Sequence, residues 1–463
     1  MPTEVETKDI NEQFEEIIAV EDKLQVREFL NDQNISDVAN LIYEFEDYAA
    51  QIIGNMSVHR AASTFKILDV QLQKKIIQEL PPLQTAELLN ELPADDRTSF
   101  LEELPSEVVK ELIKTLEPEE RKITLALLGY PEGSVGRLMT PEYISVNLEW
   151  TMEDVLVHIR QVGKNSETID VIYVVNNKGE LIDDIRIREV ILASPDKKVE
   201  DVIDYRFITL NVNDHQEVAT QTFKMNNRVA LPVIDNNNIL LGIVTIDDIL
   251  WVANEEFSED IQKIGGTEAL DEPYLEMPLF RLFKKRITWL VVLFLGEMLT
   301  ATAMSYFEDE IQKAVVLALF VPLIISSGGN SGSQASTLII QAMAVGEITI
   351  SDWWRVLRRE ILSGLMLGTV LGLIGLLRVV AWAQIFPRVY GPHYFFIAQT
   401  VGFSLIGVVL WGTLSGSMLP IILKKLGADP AVSSAPFVAT LVDVTGLIIY
   451  FSFAYLFLKG LLL

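Results

Sequence analysis

The chain has 463 residues, too many for one hydrophobic core, so several domains are expected. It has no cysteine and four histidines, which excludes disulfides, thiolate metal sites and cysteine catalysis and leaves soft-metal sites poorly supplied. Its net charge of −27 is unevenly held: Arg281 to Leu463 carries 13 Lys and Arg against 9 Asp and Glu, while the preceding part carries 24 against 55, a field that repels nucleic acid and anionic lipid.

The opening residues, MPTEVETKDINEQFEEII, show no basic segment followed by an apolar core, so no signal peptide is expected and the acidic half should stay in the cytoplasm. Up to about residue 130 the chain reads as helix after helix. Leu-Pro pairs recur at Leu80-Pro81, Leu92-Pro93 and Leu104-Pro105, with Leu116-Glu117-Pro118 after them. Proline suits the first turn of a helix and forbids its middle, so each unit should be one short helix, and the stack a small all-α solenoid. Acidic residues such as Glu107 and Glu111 decorate it, either as a solvated face or as groups that meet another domain across a cation.

Around Pro131 the pattern changes to strands alternating with helices. The stretch from Tyr143 matches that from Phe207, and the stretch from Tyr173 matches that from Pro232 at an offset of 59. Each copy should fold as strand, helix, strand, Asn-containing turn, strand, helix. With the opening GRLMTPEYISV and the ending LPVIDNNNILLGIVTIDDIL, residues 135–252 resemble an α/β tandem pair of CBS domains, about 135–195 and 200–252. Many CBS pairs bind adenine nucleotides. The resemblance puts Thr245 and Asp248 at the positions that hold the ribose in the second copy, and Arg186 and Glu189 there in the first, so at most one intact ATP site is implied; the alternative is a purely structural or cation-bridged module.

A connecting helix follows, over about 253–280, whose start is strongly acidic. Helical spacing puts Glu256, Glu259 and Asp260 on one face, where like charges repel unless a hard divalent ion such as Mg2+ joins them. The alternative is a solvated tether.

From Arg281 onward come five hydrophobic spans, about 287–306, 311–343, 357–382, 395–423 and 430–458, an α-helical polytopic membrane domain. Basic residues Arg281, Lys284, Lys285 and Arg286 precede the first span, Arg355, Arg358 and Arg359 lie between the second and third, and Lys424 and Lys425 between the fourth and fifth. By the positive-inside rule the amino terminus is cytoplasmic and the carboxy terminus outside. In the second span, Pro322 and Gly328-Gly329 should kink or unwind the helix, and Asn330, Ser331, Ser333, Gln334, Ser336 and Thr337 then either line a watery path or act as interhelical glue. The last span has one ionisable residue, Asp443, flanked by Thr440 and Thr445, with Pro436, Ala439 and Gly446 on or near its face. A carboxylate at that depth costs roughly 2.5–3.5 kcal/mol, so it should face an ion path, or else bond a neighbouring helix. Glu297, midway along the first span, either supports such a path or is protonated against a neighbour.

GGNSGSQASTL on the second span and DPAVSSAPFVATLVDVTG on the last resemble the two signatures of the MgtE family of bacterial magnesium channels, and the domain order matches along nearly the whole chain. The resemblance implies a homodimer in the bacterial cell membrane with one pore between subunits, lined by the second and fifth spans, where Asp443 of both copies grips hydrated Mg2+ beside Gly328, Gly329, Asn330, Ser333, Ala439 and Thr440. It implies that Mg2+ closes the pore by bridging acidic cytosolic residues, here Asp248, Glu256, Glu259, Asp260 and Asp429, with Glu107 and Glu111 as loose correspondences. Trp251 and Ala435 depart from the family pattern, at a sensory and a pore position. Two other readings are a transporter coupled to H+ or Na+, with Glu297 as coupling acid, and a membrane-tethered nucleotide sensor. No metal-ligand spacing, nucleophile with a base or phosphate loop suggests an enzyme.

Overall fold

The computed structural model describes residues 10–19, 22–270, 274, 275 and 277–462; the first nine residues of the stretch read for a signal peptide lie outside them. The chain forms two compact units, Met1–Asn254 and Glu255–Leu463.

In the first unit the Leu-Pro pairs do what their chemistry demands. Helices run Val70–Glu79, Pro82–Glu91, Ala94–Glu102, Ser106–Thr115 and Pro118–Leu127. Leu80, Leu92 and Leu116 end helices in extended backbone, and Pro81, Pro93 and Pro105 sit at the N-caps of the next ones. The three leucines are buried, so each turn residue is also a core contact that fixes the angle of the following helix. Arg97 is wholly buried and staples three of these helices. Its guanidinium donates to Thr124 Oγ1 at 2.9 Å, to the carbonyls of Leu89 and Leu92 at 3.2 and 3.1 Å, and to Glu120. A buried cation so fully paired holds the helix Ala94–Glu102 in one orientation.

The repeat at offset 59 is structural. Strands β1 (Ser145–Val146), β2 (Val171–Val175) and β3 (Leu181–Arg186) form one sheet, and β4 (Leu210–Asn211), β5 (Ala230–Ile234) and β6 (Leu240–Thr245) the other. Each has a parallel then an antiparallel pairing. Val171 faces Arg186 as Ala230 faces Thr245. The two sheets clasp each other through Leu181 N to Asn238 O and Leu240 N to Gly179 O, at 2.9 and 3.0 Å. The helical layer joins them through a shared core that includes Ala94, Leu127, Val135, Phe223 and Ile249, and through the Arg137–Glu102 ion pair.

Among the described residues the second unit has five helices long and apolar enough to cross a membrane: Leu279–Tyr306, Val315–Ala344 including an initial 3-10 turn, Ile350–Ile385 including another, Tyr394–Lys425 and Ala435–Leu458. The fourth packs against the second, third and fifth, and the first lies on the fifth. The expected break in the second span is absent. Its α-helix is continuous from Val321 to Ala344, and Pro322 stands in its first turn, where a missing N–H costs nothing. The glycines serve close packing. A Cβ at Gly412 would collide with Gly328 O, and one at Gly416 with Gly332 O, so the second and fourth spans meet backbone to backbone. Because neither carbonyl can retreat without breaking its own helix, Gly416→Ala is expected to destabilise the membrane unit by about 2 kcal/mol or more, read as a lower melting temperature in detergent.

Candidate cation sites in the membrane and cytosolic units

Asp443 lies half-buried near the middle of the fifth span and borders a cavity of about 620 Å3. The walls are Ile287, Leu290, Val291, Leu293, Phe294 and Glu297 from the first span, and Pro436, Ala439, Thr440 and Asp443 from the fifth. Proline in the first turn and the small Ala439 leave the space that larger side chains would fill. Among the described residues no hydrogen bond or ion pair holds the Asp443 carboxylate; what it senses is burial and the charge of Glu297. Among the described residues of this chain it therefore makes no link to a neighbouring helix.

The second span meets this site differently from the family-based expectation. Gly328 is buried against Val408 and Val442 and is a packing residue, whereas a Cβ on Gly329 would lie 3.7 Å from Asp443 Oδ1. Ser331 bonds Thr413, Ser333 Oγ donates to Ala435 O at 3.0 Å, and Ser336 Oγ to Ser433 O at 2.8 Å. These hydroxyls tie the second span to the fourth and to the start of the fifth, so for them the interhelical reading holds. Asn330 is exposed, with Ser326 Oγ at 3.5 Å from its amide. Thr440 lines the cavity while its hydroxyl donates to Pro436 O.

In the second unit, Lys263 near the end of the helix Ile246–Ile264 reaches Glu259 at 2.5 Å and Asp429 at 2.7 Å. Burial pulls this ammonium down, but its bonds to Asp429 and Glu259 outweigh that and raise its pKa. Glu259 and Asp429, both among the acids expected to hold Mg2+, are thus bridged by a lysine. Glu256 and Asp260 lie half-buried on the same helix. Asp429 also caps the turn before the fifth span by accepting from Ala431 N at 2.8 Å.

In the first unit a carboxylate cluster forms at the seam between the helical layer and the CBS-like pair. Ala94 and Ile249 share one core, which brings their neighbours Asp95 and Asp248 within electrostatic reach of each other, along with Asp96, Asp247 and Glu167. Asp95 is only 6 % exposed, and its Oδ1 is buried with no hydrogen-bond partner. Burial, then the charges of Asp248, Asp96 and Glu167, raise its pKa strongly. Burial outweighs the bond from Thr245 and pushes Asp248 up to about 7, with Asp247, Asp96 and Glu167 adding to it. Burial beside Glu167 and Glu120 likewise raises Glu142 to about 7. The Lys66 ammonium, 3.4 Å from Asp96, supplies positive charge at the edge of this group. Glu107 and Glu111 are not part of it: both are exposed, and Glu111 pairs with Lys114 at 2.6 Å. Asp95, Asp96 and Asp247 were missed because Asp-Asp in a first helical turn reads as an ordinary dipole partner, and Glu142 and Glu167 because a single acid in irregular backbone carries no local signal of burial.

Thr245 is buried and donates from Oγ1 to Asp248 Oδ2 at 2.5 Å. Arg186 and Glu189 occupy the equivalent positions in the first copy, where Arg186 N donates to Glu189 at 3.1 Å.

Residues 321–453 match the MgtE family, described as a divalent cation transporter, residues 33–133 match the MgtE intracellular N domain, and residues 135–196 and 183–255 match the CBS domain. The magnesium transporter MgtE of Thermus thermophilus is 38% identical over 345 residues, 74% of this chain and 74% of that protein. The chain belongs to the MgtE family. The Enterococcus faecalis MgtE is 32% identical over 333 residues, 72% of this chain and 71% of that one. The crystal structure of the cytosolic domain of the Mg2+ channel MgtE in complex with ATP superposes with a TM-score of 0.50 at 30% identity, covering 52% of this chain and 99% of that one. The soluble part of a magnesium transporter does so with a TM-score of 0.50 at 26% identity, covering 54% and 99%. As an MgtE protein the chain is a multi-pass magnesium transporter with an intracellular N domain, and not an enzyme.

Proposed function

We propose that this chain conducts Mg2+ passively through the cell membrane as a homodimer with the pore at the subunit interface, Asp443 facing the ion, and that Mg2+ on the cytosolic carboxylates closes it. The observation that carries the reading is the Asp443 carboxylate, mid-span, without a hydrogen bond or ion pair among the described residues and facing a cavity with no basic residue in its lining. Mg2+ dehydrates reluctantly, and six waters at roughly 30 Å3 each need about 180 Å3. A cavity of about 620 Å3 accommodates the hydrated ion. The basic residues flanking the spans support a cytoplasmic amino terminus and an outer carboxy terminus.

The sensor is assigned to two places. At the seam, Asp95, Asp96, Glu167, Asp247 and Asp248 repel one another and Asp95 holds a buried, unpaired oxygen, a set of hard donors suited to Mg2+. At the inner mouth, Mg2+ competes with Lys263 for Glu259 and Asp429, with Glu256 and Asp260 on the same helix. An ion bound only by the compact state stabilises that state, and several sites steepen the response. The retained Thr245–Asp248 pair supports one ATP site per chain, modulatory in role, which would share Asp248 with the cation cluster.

The test is Mg2+ flux into liposomes with the cytoplasmic-side Mg2+ varied and no other gradient imposed. Passive flux that shuts as that concentration rises is expected. Flux that appears only with a proton or sodium gradient would replace the channel by a coupled transporter. In the same assay, neutralising Glu256, Glu259 and Asp260 together is expected to leave the pore conducting at high Mg2+.

A further inference from the structure

The cavity beside Asp443 contains a second carboxylate. Glu297 projects from the first span, is close enough for its charge to act on Asp443, and lines the same cavity wall to wall with it. Gly296 makes this approach possible: a Cβ there would lie 2.8 Å from Thr440 Cγ2, so only glycine lets the first span sit this tightly on the fifth and hold Glu297, itself exposed, at the cavity wall. The remaining lining is eight apolar or hydroxyl residues, with no Lys, Arg or His. Two like charges facing one cavity whose lining offers no protein cation are relieved either by a proton on one of them or by a mobile cation, and among metal ions their combined field favours a divalent one, whose attraction to each carboxylate is twice that of Na+ or K+.

We propose that Glu297 is a second cation-facing carboxylate of the conduction site and sets its preference for divalent over monovalent cations. This rests on the reading of Asp443 as the ion-facing group. Thr440 lines the same cavity, and with its hydroxyl proton committed to Pro436 O its oxygen can serve there only as an acceptor, suited to the waters of a hydrated ion.

The experiment compares Mg2+ and K+ flux in liposomes for the full-length protein, Glu297→Gln, Glu297→Asp and Asp443→Ala, each first checked for assembly by size exclusion. Glu297→Gln is expected to lower the Mg2+ to K+ flux ratio by about tenfold or more, with Glu297→Asp staying near the starting ratio because it keeps the charge. A Gln variant with an unchanged ratio, alongside an inactive Asp443→Ala, would overturn the role of Glu297 alone. Retained flux in Asp443→Ala would overturn the conduction site itself. Mg2+ flux that needs a proton gradient in the unaltered protein and loses that need in Glu297→Gln would make Glu297 a coupling acid and overturn the selectivity role.

Discussion

Asp443→Ala is expected to reduce Mg2+ flux by at least about 100-fold while leaving the chain folded and assembled. A carboxylate separated from a divalent ion by one water layer, about 5 Å, attracts it by roughly 6 to 7 kcal/mol at an effective dielectric of 20. Even if water in the cavity screens half of that, the remainder exceeds the 2.8 kcal/mol that corresponds to 100-fold. The structural cost of the change is small, because no hydrogen bond or ion pair among the described residues depends on this carboxylate and the neighbouring Val442 and Gly446 carry the packing. Tracer uptake in liposomes with equal amounts of inserted protein measures it. Flux within a few-fold of the unaltered protein would mean that ions pass elsewhere.

The second large effect is expected at the cytosolic seam. Hydrogen exchange on the full chain at pH 8 should show the amides of Ala94–Glu102 and of the start of Ile246–Ile264 protected by Mg2+, by about 100-fold when Mg2+ is at 100 times its dissociation constant. In Asp95→Asn with Asp248→Asn that Mg2+-dependent gain should fall to near nothing, because the donors and the repulsion disappear together. The pH dependence follows from the raised carboxyls. Asp248 rises to about 7 from an ordinary value near 4, so over that interval the folded seam holds a proton that the unfolded chain has released. Without Mg2+ its stability is therefore greatest in acid and declines as pH rises through about 7. Mg2+ displaces those protons, so its protection should be small at pH 5 and full at pH 8. Equal protection at both values, or in both proteins, would show that the seam is only a solvated acidic edge.

The distribution of these sites along the chain shows where sequence reasoning reached its limit. Elements with local causes were legible. Leu-Pro pairs encode helix ends by the geometry of one ring, the offset of 59 encodes two like sheets, and a run of some 20 apolar residues can satisfy its backbone in a bilayer only as a helix. Asp443 was legible for the same reason, since a charge in such a run is costly wherever its neighbours come from.

What depended on distant partners was decided by tertiary structure. Asp95 and Glu111 look alike in sequence, yet one is packed beside Ala94 into a core shared with Ile249 and the other pairs with Lys114 in solvent. Gly328-Gly329 looked like a helix break, but the fourth span presents Gly412 and Gly416 to the same face, and close backbone contact uses the glycines without unwinding the helix. Glu259 and Asp429 looked like ligands awaiting a metal, and Lys263, four residues from one and far along the chain from the other, lies between them. The residue types and their local spacing determined the elements, the domain order and the costly membrane carboxylate. Which carboxylates are buried together, and with what counter-charge, was set only when elements far apart in the chain packed, because burial and Coulomb energy depend on distance in space and not on separation in sequence.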